Sequence, residues 1–494
     1  MIYVHVPFCR SFCTYCGFYS EICSRKESQE VQKRVFGDYV DAVCEEIEER
    51  RAEIDAARRG APGTAAPAHA PGVMPGPTGH PSSASVMPGC DRASLPPDTL
   101  YIGGGTPSVL PVEALARIVR ALGPATYSEF TLEVNPDDVA AGGAPYAAAL
   151  RALGVNRISM GVQSFDDGIL RWMNRRHDAA GAREAFRLLR AAGFDNVSID
   201  LIFGLSQLSD ELWESTVNEA LSLHPEHISA YQLSIEEDSS LERMVADGRY
   251  TEASDEQCRR QYDTLCRMLS EAGYFHYEIS NWALPGREAV HNGAYWRRVP
   301  YVGLGPAAHS FSLPATPAHA IAPSAPASSA VPASTPAPSA SPDPTPSSSS
   351  ASASPALVVS ASAPASSNPS APGARSEQPL PAPGVRSWNS AELARRDSSG
   401  RLARWHSESE ALSPQEAAEE TVMLALRTAA GISLPLLRRL SPSAPVDALL
   451  ASGSLQPVPS SPASSISQSA PRVRIPEDHF FVSDDIIARL FPAR

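Results

Sequence analysis

The chain opens on an alternation of apolar and polar positions. Ile2, Val4 and Val6 are separated by Tyr3 and His5, and Pro7 ends the run, which predicts a short strand over residues 1–8. Residues 27–58 are charged, with apolar repeats at helical spacing, and predict a helix. Strand-like segments follow at 99–103, 129–135, 157–161, 197–203, 227–233 and 274–279. Helix-like segments lie between them at 111–122, 145–153, 179–192, 211–221 and 257–272. Such alternation predicts an α/β fold of parallel strands joined by right-handed crossovers. A barrel or open barrel is the natural packing and a doubly wound sheet its rival, because the pattern does not give strand order.

In a barrel, polar residues at or after strand ends converge on the C-terminal mouth. The candidates are residues 9–16, 103–106 and 133–135, Gln163, Asp200 and residues 232–234.

Two stretches break the pattern. Residues 57–97 are rich in Pro, Ala and Gly, and residues 312–387 are mostly Ala, Ser and Pro without Phe, Tyr or Trp. Neither carries enough apolar side chain to offset the entropy of ordering it, so both read as disordered insertions. The expected domains are therefore 1–311, a barrel interrupted at 57–97, then the disordered segment 312–387, then a small α+β accessory domain at 388–494. That last part predicts a helix over 414–429, a Ser/Pro-rich loop over about 441–471, and a strand and helix over 473–494.

Lys plus Arg is 41 and Asp plus Glu 55, a net charge of −14 that disfavours nucleic acid as a partner. No apolar run is long enough to span a membrane, and MIYVHVPFC lacks the basic and apolar regions of a signal peptide. Five cysteines are scattered (Cys23, Cys44, Cys90, Cys258, Cys266) in a chain too large to need staples, which points to a reducing compartment. The other three, Cys9, Cys13 and Cys16, fall in C-R-S-F-C-T-Y-C. Three thiolates at this spacing suit a [4Fe–4S] cube with one iron left open to a small molecule. A zinc site completed by His5 is an alternative, although zinc wants a closed set of four; incidental cysteines are another, and an odd trio fits disulfides poorly.

The C-x3-C-x2-C motif with Tyr15 between the second and third cysteines resembles the radical S-adenosylmethionine (SAM) family. The surrounding Y-V-H-V-P-F-C, with Gly-Phe-Tyr after Cys16, is similar to the oxygen-independent coproporphyrinogen III oxidase group and its relatives, the HemW-type haem chaperones. The resemblance covers residues 1–56, 98–311 and, more weakly, 386–494. It implies a partial (βα)6-type barrel whose cluster, reduced by an electron donor, cleaves SAM to methionine and a 5′-deoxyadenosyl radical. By the same resemblance Gly104, Gly105 and Thr106 of G-G-G-T-P contact the amino-acid end of SAM. Glu133 of E-V-N-P meets its amino group or ribose, Gln163 of R-I-S-M-G-V-Q the ribose hydroxyls, and Arg175 the carboxylate. Asp200 serves the ribose, and Tyr3 lies beside cluster and SAM. Without the family these could be a tight turn, a solvated strand-end carboxylate and a surface helix arginine between Arg171 and Arg176. Where the family continues with Pro after D-L-I-F-G-L, this chain has Ser206.

A second block, H-N-G-A-Y-W at 291–296, matches the H-N-x-x-Y-W motif of the haem-chaperone branch. It makes His291 a candidate haem ligand, with a hydrogen-bonded structural role for His291 and His309 as the alternative. Farther on, E-E-T-V-M-L-A-L-R with Gly431-Ile432 resembles the E-x-x-x-L-x-L-R-x-x-x-G-I signature of the same family and reads otherwise as a core helix. Two functions compete. One is haem binding and delivery to a haem-requiring client, such as a respiratory enzyme, in the cytoplasm or at a membrane only through that client. The other is oxidative decarboxylation of coproporphyrinogen III to protoporphyrinogen IX. The decarboxylase pattern has an extra cysteine two positions after the third, where this chain has Phe18, and an extension before the first strand. Both differences favour the chaperone. A binding module whose cluster only stabilises the fold is a third reading, against which the full SAM set argues.

Overall fold

A computed structural model describes residues 1–23, 28–59, 98–314, 379–459 and 470–491. Six strands follow one another in space as in sequence: β1 (Ile2–Val6), β2 (Thr99–Gly104), β3 (Glu129–Val134), β4 (Arg157–Gln163), β5 (Val197–Phe203) and β6 (His227–Gln232). Each pairs in parallel with the next. A doubly wound sheet reverses its order at a switch point. This one does not, so the rival topology is out.

The seventh expected strand is displaced. β7 (Phe275–Glu278) does not follow β6 directly, because β8 (Asn281–Ala283) lies between them, antiparallel to both. At the other edge β9 (Val302–Leu304) runs parallel to β1. Among the described residues the sheet ends at β9 and β7 without closing. It is a partial barrel.

The alternation seen in the sequence has a clear physical use. Ile2, Val4, Val6, Leu100, Ile102, Phe130, Leu132, Ile158, Met160, Val197 and Ile199 are buried in one continuous core. The register places Tyr3, Tyr101, Thr131 and Arg157 side by side on the opposite face, and Glu133, Ser159, Ser198 and His227 in the next layer. The apolar face is therefore the one covered by helices. The lumen side is polar, unlike the branched aliphatic packing of a filled barrel.

The helices on the outside start where caps require. In α1 (Gln29–Glu49) the Ser28 side chain accepts from Val31 N, and α2 (Arg51–Arg59) follows a break at Arg50, so the segment read as one helix is two. After α3 (Val112–Leu122) comes α4 (Pro136–Ala152), broken by non-helical backbone at Gly143, so the helix expected from 145 is its second part and the first part, from 136, was not predicted. Pro136 at its first turn and Asp137 and Asp138 beside the N-terminal dipole explain that start, and Gly143 with φ 63° breaks the apolar period that would have shown it. Next are α5 (Asp167–Trp172), a short helix the pattern did not predict, α6 (Ala179–Ala191) and α7 (Asp210–Ser222), capped by Asp166, Asp178 and Ser209. The short α8 (Ser240–Ala246), α9 (Asp255–Glu271) and α10 (Val290–Tyr295) complete the set.

The parts before residue 315 and after residue 379 belong to one compact unit. The other unit, 316–379, falls almost wholly outside the described residues, as does most of the insertion at 57–97. β10 (His309–Ser312), β11 (Val385–Asn389) and β12 (Ser407–Ala411) form an antiparallel sheet. β11 starts inside the stretch expected to be disordered, held by partners on both sides. α11 (Pro414–Leu426) opens on a Ser413/Glu416 capping box. α12 (Leu434–Leu440) and α13 (Ser443–Ala451) follow. α13 corrects the reading of 441–471 as a loop, since it buries Val446 and Leu449 despite its Ser/Pro-rich start. Residues 460–469 lie outside the described residues. Among the described residues no helix is long and apolar enough to cross a membrane.

Candidate functional site

The cysteine loop leaves β1 at the mouth of the barrel. Phe8–Cys9 pairs with Glu21–Ile22 at its base. Its tip is pinned to the end of α5: Thr14 donates from N to Met173 O (3.1 Å) and from Oγ1 to Trp172 O (2.8 Å), while Asn174 Nδ2 donates to Phe12 O (2.6 Å). Leu241 N, in α8, donates to Thr14 O at 2.8 Å.

From there a continuous chain of contacts crosses the strand ends. Cys9 Sγ lies 3.4 Å from Thr106 Oγ1, and Asn135 Nδ2 donates to that same hydroxyl at 3.3 Å. Asn135 Oδ1 accepts from Arg175 at 2.7 Å, and Arg175 also donates to Gly161 O (2.5 Å) and Cys13 Sγ (3.3 Å). Arg175 is thus no surface helix arginine. Burial weakens its charge, but Tyr15 and Cys13 beside it more than restore it. Its Nε is buried without a partner among the described residues. The structure brings Cys9, Cys13, Thr106 and Arg175 together and adds Asn135, which sequence reasoning placed at the mouth but gave no role. Its signal was the N-P step that starts α4.

The donor set fits a cluster better than a single ion. Cys9, Cys13 and Cys16 are free thiols, and burial raises Cys9 and pushes Cys16 up to about 11. Among the described residues no three His, Cys, Asp or Glu side chains, these cysteines included, are already gathered as a metal site. His5, the proposed fourth zinc ligand, has both ring nitrogens engaged, by Tyr3 OH (3.0 Å) and Tyr19 O (3.1 Å). In a cube each thiolate takes its own iron, so the sulfurs need not converge. When bound, such a cluster supplies single electrons. The glycine turn after β2 is shaped for close approach: Gly104 has φ 110°, and a Cβ on Gly105 would meet Phe8 O at 2.9 Å and Val6 O at 3.0 Å.

Below the mouth, the lumen side carries two half-buried carboxylates. Glu133 accepts from Tyr101 OH (2.6 Å) and Gly104 N (3.1 Å). Burial, with Asp200 nearby, pushes it up to about 7 against the pull of those donors. It is not a solvated strand-end group. Asp200 sits mid-strand, short of the mouth, and accepts from Ser159 (3.1 Å) and Ser198 (3.3 Å); burial raises it. Gln163 adopts φ 71° where the register of β4 shifts, and Gly161, with no side chain, leaves room for it and Arg175. Tyr3 stands beside Tyr101, ring centroids 6.1 Å apart. Tyr231, on the lumen side of β6, is 44% exposed.

His291 sits at the opposite end of the strands from the mouth, beside the first residue of β2. Its ring is fully buried at the floor of the lumen, with Nδ1 bonded to Thr99 Oγ1 (2.7 Å) and Nε2 to Tyr295 OH (2.9 Å). Glu129 accepts from Val290 N and His291 N, each at 2.8 Å, and so docks α10 against the starts of β2 and β3. Burial, followed by the Met1 ammonium and Arg157, depresses the imidazole to about 3. With neither nitrogen free, His291 as placed offers iron no lone pair. The alternative role is the one its geometry supports.

Residues 90–220 match the Radical SAM superfamily model. Over 316 residues the chain is 32% identical to the "Heme chaperone HemW" of Synechocystis sp., covering 63% of this chain and 65% of that one. Over 314 residues it is 32% identical to the protein of that name in Bacillus subtilis, covering 63% and 70%. The fold is similar to that of coproporphyrinogen III oxidase (HemN) from Escherichia coli, with a TM-score of 0.60, 16% identity and coverage of 99% of this chain and 89% of that one. The match thus spans just under two thirds of the Synechocystis protein and slightly more of the Bacillus one. The chain belongs to the radical SAM proteins of the oxygen-independent coproporphyrinogen III oxidase-like family, on the branch of the HemW haem chaperones.

Proposed function

We propose that this chain binds haem and hands it to a haem-requiring client, with a SAM-binding [4Fe–4S] centre at the barrel mouth. The observation that carries this reading is 32% identity to haem chaperones over 63% of the chain. Cys9, Cys13 and Cys16 would hold the irons. Arg175, with its orphaned Nε, would take the carboxylate of SAM, Gly104, Gly105 and Thr106 its amino-acid end, and Glu133, Gln163 and Asp200 its amino group and ribose. Tyr3 would flank the ligand. A polar lumen with two carboxylates suits a nucleoside better than an aliphatic core does.

The decarboxylase reading rests on the resemblance around the cysteine motif and on fold likeness, and Phe18 stands where its pattern carries a cysteine. One experiment separates the two. The anaerobically reconstituted chain is titrated with hemin, and the same preparation is incubated, reduced, with SAM and coproporphyrinogen III. Haem capture without porphyrinogen turnover is expected. Formation of protoporphyrinogen IX would reverse the order.

A further inference from the structure

Resting on that reading, the hydrogen bonds around the cysteines fix the direction of one hydroxyl. Arg175 can only donate, so the side-chain oxygen of Asn135 must face it, at 2.7 Å. That leaves the amide nitrogen to face Thr106 Oγ1, at 3.3 Å. The amide N–H occupies an acceptor site of this hydroxyl, whose own proton is left for Cys9 Sγ, 3.4 Å away. A cysteine that holds iron does so as a thiolate, which only accepts. The whole line from Arg175 through Asn135 and Thr106 therefore donates toward sulfur.

Arg175 also reaches a second sulfur without an intermediary, since Nη1 donates to Cys13 Sγ at 3.3 Å. One guanidinium thus serves two of the three cluster cysteines, Cys13 itself and Cys9 through two side chains. Thr106 is 5% exposed, so little water competes for its proton. Ser20 also faces Cys9, but its buried hydroxyl has no partner in hydrogen-bond geometry among the described residues.

Reduction adds one electron to an iron–sulfur core, and the added negative charge spreads onto the sulfurs. A donor aimed at sulfur stabilises the reduced state more than the oxidised one and raises the potential. We propose that Thr106, oriented by Asn135 and Arg175, sets the potential of the cluster through its hydrogen bond to Cys9, and so brings reduction within reach of a weaker electron donor. Thr106 acts here through a ligand, as a positioning residue. The electron comes from a low-potential donor outside the chain, and no bond is made or broken.

The test is a redox titration of the full reconstituted chain without SAM. It is poised with titanium(III) citrate and followed by the EPR signal of the reduced cluster, for wild type, Thr106→Val, Thr106→Ser and Asn135→Ala. Thr106→Val keeps the shape and removes the donor. Its reduction equilibrium should fall at least tenfold, about 59 mV for one electron. Thr106→Ser should return the midpoint to the wild-type value. Asn135→Ala frees the hydroxyl to turn and should fall between Thr106→Val and wild type. The midpoint belongs to the molecules that carry the cluster, so a variant that loads less iron still reports it. A wild-type midpoint in Thr106→Val or in Asn135→Ala would overturn the assignment while leaving the cluster in place. So would a Thr106→Ser midpoint as low as that of Thr106→Val. A wild type that assembles no [4Fe–4S] cluster would instead sink the functional reading, and this inference with it.

Discussion

At the scale of single residues, the mouth works through charged hydrogen bonds. Asn135 is bonded to Thr106 and Arg175 at once, so it orients the guanidinium that would meet the SAM carboxylate. A hydrogen bond to a charged group contributes roughly 1.5–3 kcal/mol. Asn135→Ala should therefore weaken SAM binding about ten- to a hundred-fold, while iron content after reconstitution stays near wild type. Equilibrium dialysis against SAM with parallel iron analysis checks both. Glu278 gives a second prediction. Fully buried, held by Asn281 and Ser280 N, it is pushed up to about 7, chiefly by burial. Because the folded state keeps this proton when the unfolded chain has lost it, stability falls as pH rises from about 4.5 to about 7. Glu278→Gln should raise the melting temperature at pH 8 but not at pH 4, by about 1–3 kcal/mol in stability. The chemistry-bearing residues were legible because each sits in a motif. Tyr101 was not, and Asn135, although in E-V-N-P, showed no role there, since what they do is set by strands that meet only in the fold.

At the scale of elements, the strands were legible because each alternates a core face with a lumen face. The displaced β7 was not, because the three residues of β8 are too few to show a period. The early start of α4 was hidden by Gly143, which interrupts its repeat. The glycine turn joins these elements to the chemistry. Gly105 N donates to Val6 O at 2.8 Å, and a Cβ there would press on the backbone of Val6 and Phe8, one residue before Cys9. Backbone cannot yield as a side-chain tip can. Gly105→Ala should shift the cysteine loop, lower the melting temperature by several degrees and leave less than one cluster's iron per chain, with about 1–3 kcal/mol lost. Iron and sulfide analysis together with a thermal melt would show it, and wild-type values in both would remove the turn from the cluster's support.

At the scale of the whole molecule, the segments flanking the long insertion are tied back to the barrel by one buried carboxylate. Glu46 on α1 accepts from Asn389 Nδ2 (2.9 Å), Trp405 Nε1 (3.0 Å) and Gly305 N (2.9 Å), and pairs with Arg50 at 3.2 Å. Helix, post-β9 turn, β11 and the approach to β12 therefore share a single anchor. Sequence could not reveal it, because 343 positions separate Glu46 from Asn389 and a lone Glu on a charged helix looks solvated. Its removal leaves Arg50 without one carboxylate and three buried donors without an acceptor. The expected loss is about 3–5 kcal/mol for Glu46→Ala. Glu46→Gln should lose less, because its amide oxygen still accepts from some of these donors. Urea unfolding of both variants, read beside iron content, checks both expectations. A Glu46→Ala protein with wild-type stability would mean that the other contacts, Tyr39 against Trp405 and the ion pairs of Arg298 with Glu420, Arg396 with Asp38 and Arg404 with Glu49, hold the two parts of the chain together.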